Sequence, residues 1–237
     1  MRHGECFGLD DSIINGWRDF ELTEHGKKEA CEAASKLKDL AGVSYIDKVY
    51  TSYLSRARDT GKYLIQTLQQ KAQIIQDIRL NERHYGMFQG MKREDAYKYP
   101  EYNTLSLSAD RLDNKLIPMS DEEYEGQLEE YAIKLNLSKQ NLNNVLPRSE
   151  SIIDVQKRII EFLKDKIFIK DNVDKTILLV GHANTVKLIV GYILDLDFSE
   201  ITKLRFATCG MTIFDLEYSG VEYIIKGVVN INDEYIK

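Results

Sequence analysis

The chain has 237 residues and a formal net charge of −6, which argues against a nucleic-acid-binding protein, since such proteins are normally basic. Hydrophobic residues make up 43% of it and charged residues 30%, as in an ordinary globular protein with a sizeable core. Three scattered cysteines argue against a disulfide framework or a zinc site and favour a reduced, cytoplasmic location. The N-terminus lacks the apolar region of a signal peptide and no run of about 18 apolar residues occurs, so we expect neither secretion nor a membrane span.

The first part of the chain alternates helical and strand patterns. Apolar residues at helical spacing predict a helix over residues 23–41, with Thr23 as its N-cap. A strand over residues 45–50, a second helix over about residues 55–70 and a short strand at Ile74-Ile75 follow. Residues 80–90 are charged, punctuated by glycine and without period, which is typical of a functional loop.

Residues 100–148 differ in composition from the rest of the chain, because they contain all three prolines together with many Asn, Ser and Asp residues. Ser120 and Glu123 form a candidate capping box that opens a helix to about Leu137. The apolar content of this segment is too thin for a core of its own. We therefore expect a single domain over residues 1–237, with a helical and loop insertion at about residues 100–148 that lies over one end of a sheet.

The last part of the chain returns to strong periodic patterns. An amphipathic helix is predicted over residues 152–167, and the apolar run at residues 176–180 is typical of a strand buried on both faces of a parallel sheet. A helix to about Leu194 follows, and then two strands, at residues 211–216 and 222–229, that form a hairpin. This alternation predicts a three-layer α/β/α sandwich around a mostly parallel sheet.

Two candidate residues lie in segments that follow predicted strands, where ligands bind in open α/β sheets. His182 follows the buried strand, and from this position a functional role and a structural role for its side chain are equally open. Arg56 lies at the start of a predicted helix, where its charge opposes the helix dipole and suggests a nearby anion, although a surface arginine is the alternative. His25, in a charged helical turn, is interpreted as a solvated surface side chain.

Six motifs together resemble the histidine phosphatase superfamily, and in particular its cofactor-dependent phosphoglycerate mutase branch. They are Arg2-His3-Gly4-Glu5, Gly16-Trp17-Arg18-Asp19, Thr51-Ser52-x-Leu54-x-Arg56-Ala57, Leu80-Asn81-Glu82-Arg83-His84-Tyr85-Gly86, Glu150-Ser151 and Gly181-His182-x-Asn184. They occur in the family's order and cover nearly the whole chain. The first triplet defines only the superfamily, whereas the string at residues 80–86 is specific to the mutase branch. The resemblance implies the phosphoglycerate mutase-like form of the α/β sandwich.

The resemblance also implies catalytic roles. His3 would be the nucleophile that forms a phosphohistidine, which splits the transfer into two displacements. Arg2, Arg56 and His182 would hold the phosphoryl oxygens and stabilise charge without a metal. Glu82 would be the general acid that protonates the leaving alkoxide and later deprotonates the acceptor.

The expected substrate is a small anionic phosphomonoester. The substrate-binding residues implied by the family are Asn15, Gly16, Arg83, Tyr85, Lys92, Arg93 and Asn184. A mutase would need 2,3-bisphosphoglycerate as phosphoryl-donor primer. We expect no metal, no nucleic-acid partner and no membrane partner, and the resemblance implies a homodimer or homotetramer.

Several positions depart from the mutase pattern. Cys6 replaces a serine, Gly8-Leu9 replaces Trp-Asn, Leu107-Ser108-Ala109 replaces a pair of arginines that grips the second acidic group of the substrate, and Ala207-Thr208-Cys209 replaces Pro-Thr-Gly. The residues of the catalytic centre are therefore retained, whereas the residues that would hold the second acidic group of the substrate are replaced.

This asymmetry leaves three hypotheses. The first is interconversion of 3- and 2-phosphoglycerate in glycolysis, with Arg111, Lys92 and Arg93 as replacement cations. The second is a phosphatase, because lost charge-assisted arginine contacts would release the bisphosphorylated intermediate and admit water as acceptor. The third is an inactive binding protein, against which the intact catalytic residues argue.

The start of the chain departs from the family as well, because only Met1 precedes Arg2, where relatives have a buried central strand. Either further residues belong upstream or that strand is missing. A truncated strand would anchor His3 poorly, and a misplacement of about 1 Å can cost on the order of 100-fold in rate.

Overall fold

The structure is a computed structural model that describes residues 1–8, 12–43, 45–99, 102, 120–135 and 148–231. Its helices are α1 (Glu24–Ala41), α2 (Ser55–Thr67), α3 (Arg93–Ala96), α4 (Asp121–Leu135), α5 (Ile152–Phe162), α6 (Ala183–Ile193) and α7 (Phe198–Lys203). Its strands are β1 (Lys48–Thr51), β2 (Gln73–Gln76), β3 (Ile177–Val180), β4 (Met211–Tyr218) and β5 (Tyr223–Ile231). Over these residues, every helix is too short or too polar to cross a membrane.

The chain divides into two compact units. The first comprises Met1–Asp10, Asp19–Glu82 and Val155–Lys237 and contains all five strands named above. The second comprises Asp11–Arg18 and Arg83–Asp154. The single domain with an insertion at about residues 100–148 stays a prediction. Arg111 and the neighbouring residues 107–109 lie outside the described residues.

The parallel sheet of the first unit has the order β2-β1-β3. Val49 of β1 stands opposite Ile74 on one side and Leu178 on the other. β4 and β5 form the predicted hairpin, antiparallel and longer than expected. The predicted α/β fold class with a mostly parallel sheet is therefore confirmed.

The core of the first unit follows from small residues on α1 and aliphatic residues on its neighbours. Alanines with no bulk beyond Cβ let α1 pack closely against α2. The buried members are Ala30, Ala33, Ala34, Leu37, Val49, Ala57, Leu64, Leu178 and Val180, among others. Burial of each large aliphatic side chain stabilises the fold by roughly 1.5–3 kcal/mol before the entropy cost.

Most helix ends are set by residues that lie close to them in sequence. Thr23 is the N-cap of α1, as predicted, and its hydroxyl accepts a hydrogen bond from Gly26 N at 3.0 Å. Ser120 and Glu123 form the predicted capping box of α4. α2 ends at Thr67, before the predicted end, because Gln69 adopts a left-handed φ of 57°. The helix predicted to Ile167 is α-helical only to Phe162 and continues as a π turn.

β1 begins at Lys48, later than predicted, because the Ile46 amide donates to the side chain of Gln70 at 2.9 Å and not to a neighbouring strand. The short helices α3 and α7 were not predicted. α7 nevertheless carries a recognisable signal, because Asp197 caps it and accepts a hydrogen bond from Glu200 N at 2.9 Å.

The first three residues take the position of a strand beside β3. Arg2 forms a parallel bridge with Gly181, and His3 N donates to Gly181 O at 3.0 Å. On the other side, Arg2 N donates to Gly210 O at 3.0 Å and Cys209 N donates to His3 O at 3.3 Å. The backbone of His3 is therefore hydrogen-bonded on both sides.

The start of α1 packs tightly against the segment that follows His3. A Cβ added to Gly26 would stand 2.0 Å from the Glu5 carbonyl oxygen, a backbone atom that can move only with its chain. We predict that Gly26→Ala lowers the free energy of unfolding by about 1–3 kcal/mol, the usual cost of overpacking. Urea denaturation followed by circular dichroism measures this.

Gly126→Ala is the matched control, since Gly126 also lies inside a helix and an added Cβ there meets no atom within 4 Å. This control should raise stability by about 0.5–1 kcal/mol through helix propensity alone. A Gly26→Ala protein as stable as the control would contradict the close approach of α1 to Glu5.

Candidate active site

The carboxyl ends of two parallel strands and the first residues of the chain meet at one edge of the sheet. β1 delivers Ser52 there, β3 delivers His182, and the bridge to Gly181 brings His3 alongside. The ring centroids of His3 and His182 lie 5.1 Å apart, with an interplanar angle of 57°. Both side chains are buried, His182 completely.

One hydrogen bond fixes the tautomer of His3. Its Nδ1 lies 2.7 Å from the Gly4 carbonyl oxygen, which can only accept, so the ring proton is on Nδ1. Nε2 therefore carries the lone pair. The Gly4 backbone is itself held, because Gly4 N donates to Thr60 Oγ1 at 2.9 Å and that hydroxyl donates to Arg56 O at 2.6 Å.

His182 bonds through one of its two ring nitrogens. Its Nε2 lies 2.7 Å from Ser52 Oγ, which also accepts a hydrogen bond from Leu54 N at 3.2 Å. The buried Nδ1 of His182 has no hydrogen-bond partner among the described residues.

Arg2 has a second buried polar atom without a partner. Its Nη1 donates to the Phe206 carbonyl oxygen at 2.7 Å, whereas its Nε has no partner among the described residues. Buried polar groups normally find a partner, so Arg2 Nε and His182 Nδ1 together indicate a site built for a polar ligand.

Burial and neighbouring cations keep both histidines neutral. Burial lowers the pKa of His3 well below its usual 6.5, and the charges of Arg56 and Arg2 lower it further. Burial is also the main cause that lowers the pKa of His182, followed by Arg56, His3, Arg158 and Arg2. An imidazole with a free lone pair is therefore present near neutral pH.

Glu82 brings a carboxylate to the first turn of α6. Its side chain is buried, and its Oε2 accepts a hydrogen bond from Asn184 N at 3.3 Å. Its backbone carbonyl accepts a hydrogen bond from Arg158 Nη2 at 2.9 Å. The predicted catalytic residues and Asn184 thus all lie in the first unit.

Other polar groups that support this site were not among the predicted site residues. They include Ser52, Thr60 and Arg158, described above, and two carboxylates; Ser52 and one carboxylate, Asp19, lie in the family motifs. Glu29 of α1 accepts hydrogen bonds from Glu5 N at 2.7 Å and from the Thr208 hydroxyl, which ties the segment after His3 to the segment before β4. Asp19 accepts from both the amide and the hydroxyl of Ser55, at 2.7 and 2.8 Å, and holds the start of α2.

The remaining residues expected to bind substrate lie in the second unit. They are Asn15, Gly16, Arg83, Tyr85, Lys92 and Arg93. Gly16 adopts a left-handed φ of 53°, and a Cβ there would stand 2.2 Å from Gln89 Oε1. That oxygen accepts a hydrogen bond from Trp17 N at 2.6 Å, so the turn requires glycine.

The cations of the second unit already have partners within it. Arg83 Nε donates to the Glu150 carbonyl at 2.8 Å, and its guanidinium carbon lies 5.4 Å from the ring centroid of Tyr85. Lys92 Nζ lies 3.7 Å from a Glu94 carboxylate oxygen. Arg93 Nη1 donates to the Tyr102 hydroxyl at 2.9 Å.

Within the described part of the chain, no three His, Cys, Asp or Glu side chains are grouped so that they could hold an ion.

The fold and the site define an enzyme with two histidines and two arginines at the carboxyl edge of a parallel sheet. The model of the histidine phosphatase superfamily (branch 1) matches residues 1–115 and 111–226. The chain belongs to this superfamily.

Relatives share most of the chain. A 2,3-bisphosphoglycerate-dependent phosphoglycerate mutase of Parabacteroides distasonis is 32% identical over 219 residues, which cover 92% of this chain and 85% of the relative. A protein of the same name from Staphylococcus saprophyticus is 33% identical over 91% of this chain and 92% of its own. Among solved structures, the Entamoeba histolytica phosphoserine phosphatase in complex with 3-phosphoglyceric acid matches with a TM-score of 0.64 at 20% identity, over 96% of this chain and 93% of that chain. At this identity the likeness shows the fold alone.

The lowered pKa values of His3 and His182 predict a pH dependence of stability. Above pH about 6.5 both rings are neutral in the folded and unfolded states; below it, only the unfolded chain takes up protons. The free energy of unfolding should therefore fall as the pH drops below about 6.5, by up to about 1.4 kcal/mol per pH unit for each histidine, until the folded pKa is reached.

Urea denaturation between pH 8 and pH 5 measures this slope. His3→Asn and His182→Asn, which do not titrate, should each reduce the slope, and the double variant should reduce it further. An unchanged slope in the double variant would contradict the neutral state of the buried rings.

Proposed function

We propose that this protein transfers phosphoryl groups through a phosphohistidine at His3 and interconverts 3- and 2-phosphoglycerate, with 2,3-bisphosphoglycerate as primer. The observation that carries the proposal is the lone pair of His3 Nε2 in a site with two buried polar atoms that have no partner among the described residues, Arg2 Nε and His182 Nδ1. The names of the sequence relatives support the choice of substrate.

In the first half-reaction, His3 Nε2 attacks phosphorus, the N–P bond forms and the bond from phosphorus to the donor oxygen breaks. The Gly4 carbonyl stabilises the positive charge that develops on the ring through the Nδ1 proton. Arg2, Arg56 and His182 would bind the phosphoryl oxygens, where preorganised donors stabilise the transition state. Glu82 gives its proton to the leaving alkoxide.

In the second half-reaction, the roles reverse. The Glu82 carboxylate takes the proton of the acceptor hydroxyl while that oxygen attacks phosphorus and the N–P bond breaks. Asn184 is proposed to donate a hydrogen bond to the phosphoryl group. On the family motifs alone, Asn15, Gly16, Arg83, Tyr85, Lys92 and Arg93 are proposed to bind the rest of the substrate.

A phosphatase is the second candidate function, favoured by one observation. Leu107-Ser108-Ala109 replaces the family's arginine pair, and the candidate replacements Lys92 and Arg93 already contact Glu94 and Tyr102. With a weakly held bisphosphorylated intermediate, water becomes the acceptor in the second half-reaction. A homodimer or homotetramer and a cytoplasmic location stay predictions.

The nucleophile is tested by His3→Ala. We expect loss of turnover of p-nitrophenyl phosphate by at least about 1,000-fold, the scale on which removal of a covalent nucleophile acts. We also expect loss of the acid-labile phosphate that the parent protein acquires from 2,3-bisphosphoglycerate. His25→Ala is the control, because its side chain is 66% exposed, and it should retain both signals. A parent protein without turnover or phosphoenzyme would leave the binding-protein hypothesis standing.

The two candidate functions are separated by their products. With 3-phosphoglycerate and a trace of 2,3-bisphosphoglycerate, we expect 2-phosphoglycerate, followed by coupled assay or phosphorus NMR. Inorganic phosphate as the sole product would overturn the mutase and establish the phosphatase.

A further inference from the structure

Glu82 lies in a stretch of backbone that lacks regular structure. It follows the short 3₁₀ turn Ile78–Leu80 and precedes a second one at Gly86–Phe88. Its carboxylate accepts a hydrogen bond from Asn184 N at 3.3 Å. A general acid needs a position defined within hydrogen-bond reach of its proton acceptor, so contacts that fix the backbone of Glu82 bear on its role.

Arg158 of α5 supplies such a fixation. Its Nη1 donates to the carbonyl oxygens of Arg79 and Asn81 at 2.6 and 2.8 Å. Its Nη2 donates to the carbonyl oxygen of Glu82 at 2.9 Å. The guanidinium is planar and its donors form a fork, so it can bind three carbonyls of one bent segment. The single ammonium group of a lysine lacks this fork.

The position of Arg158 on its helix makes this contact unusual. Val155 lies three residues before it, Ile159 directly after it and Phe162 four residues after it, and all three are fully buried. A cation on the apolar face of a helix costs free energy unless its protons are accepted. Here backbone carbonyls of the segment with Glu82 accept hydrogen bonds from both terminal nitrogens of Arg158.

We propose that Arg158 is a positioning residue that holds the backbone of Glu82 so that its carboxyl group can act as the general acid and base. This inference rests on the role given to Glu82 in the proposed function. Arg158 does not touch the reacting atoms; it acts through three hydrogen bonds to the segment that carries Glu82.

The test compares two substrates with different leaving groups on the same protein variant. An alkyl phosphate such as 3-phosphoglycerate needs a proton on the departing oxygen, whereas p-nitrophenolate leaves without one. For Arg158→Lys, which keeps the charge and loses the fork, we expect phosphorylation of His3 by alkyl phosphate to fall about 10–100-fold, as for a small misplacement of a catalytic group. Phosphorylation of His3 by p-nitrophenyl phosphate, followed as the initial burst of p-nitrophenolate, should fall less than about 3-fold, because this step requires no general acid.

The ratio of the two rates on the same preparation is independent of the folded fraction, so partial unfolding of a variant does not hide the result. Arg158→Gln, which is neutral, serves as second variant and should change the ratio in the same direction. Arg58→Lys is the matched control, since Arg58 is partly exposed and pairs with Asp59 at 2.8 Å, and its ratio should match the parent.

Glu82→Gln distinguishes failure of this inference from failure of the proposed function. In one outcome, Glu82→Gln lowers only the rate with the alkyl phosphate, whereas both Arg158 variants lower the rates with the alkyl phosphate and with p-nitrophenyl phosphate equally. The positioning role of Arg158 is then refuted, and the general-acid role of Glu82 stands. If Glu82→Gln itself shows no selectivity for the leaving group, the general-acid role falls, and the inference falls with it. Combining Arg158→Lys with Glu82→Gln should add little to the loss from Glu82→Gln alone, because both act on one step.

Discussion

The structure depends on a buried group of like-charged and titratable side chains at the carboxyl edge of the parallel sheet. Two arginines, Arg2 and Arg56, act on two completely or nearly buried histidines, and the pKa of each ring falls because of burial and of these charges. Adding a proton to either ring would add a further buried cation. The site therefore stays neutral at the histidines and positive at the arginines, which suits a nucleophile that must meet an anion.

Backbone carbonyls are the means by which the fold tolerates this positive charge. Gly4 O accepts from His3, Phe206 O accepts from Arg2, and three carbonyls of the segment with Glu82 accept from Arg158. A carbonyl dipole satisfies a donor without cancelling its charge. The electrostatic attraction for a phosphoryl group is thus preserved, and the same bonds fix the segments that carry His3 and Glu82.

Local signals were enough to predict much of this arrangement. The N-cap at Thr23, the capping box at Ser120 and the strand that ends before His182 depend on neighbours in sequence, and the structure agrees with each. The start of β1 differs from the prediction because a contact between the Ile46 amide and the Gln70 side chain connects segments 24 residues apart, and the end of α2 differs because Gln69 adopts a left-handed φ of 57°. Arg158 was overlooked although a cation among Val155, Ile159 and Phe162 is itself a signal, since an amphipathic face rarely includes one without a partner.

The chemistry at His3 is common to a mutase and a phosphatase, so the difference between them is the lifetime of the bound intermediate. A hydrogen bond to a charged group contributes about 1.5–3 kcal/mol, and loss of two such contacts therefore weakens binding by about 3–6 kcal/mol. Since 1.4 kcal/mol is a factor of ten, the intermediate would leave about 100 to 10,000 times sooner. One recovered cation restores roughly half of that free energy. Under the proposed function, the balance between the two activities would therefore depend on whether Lys92 or Arg93 exchanges its contact with Glu94 or Tyr102 for an acidic group of the substrate.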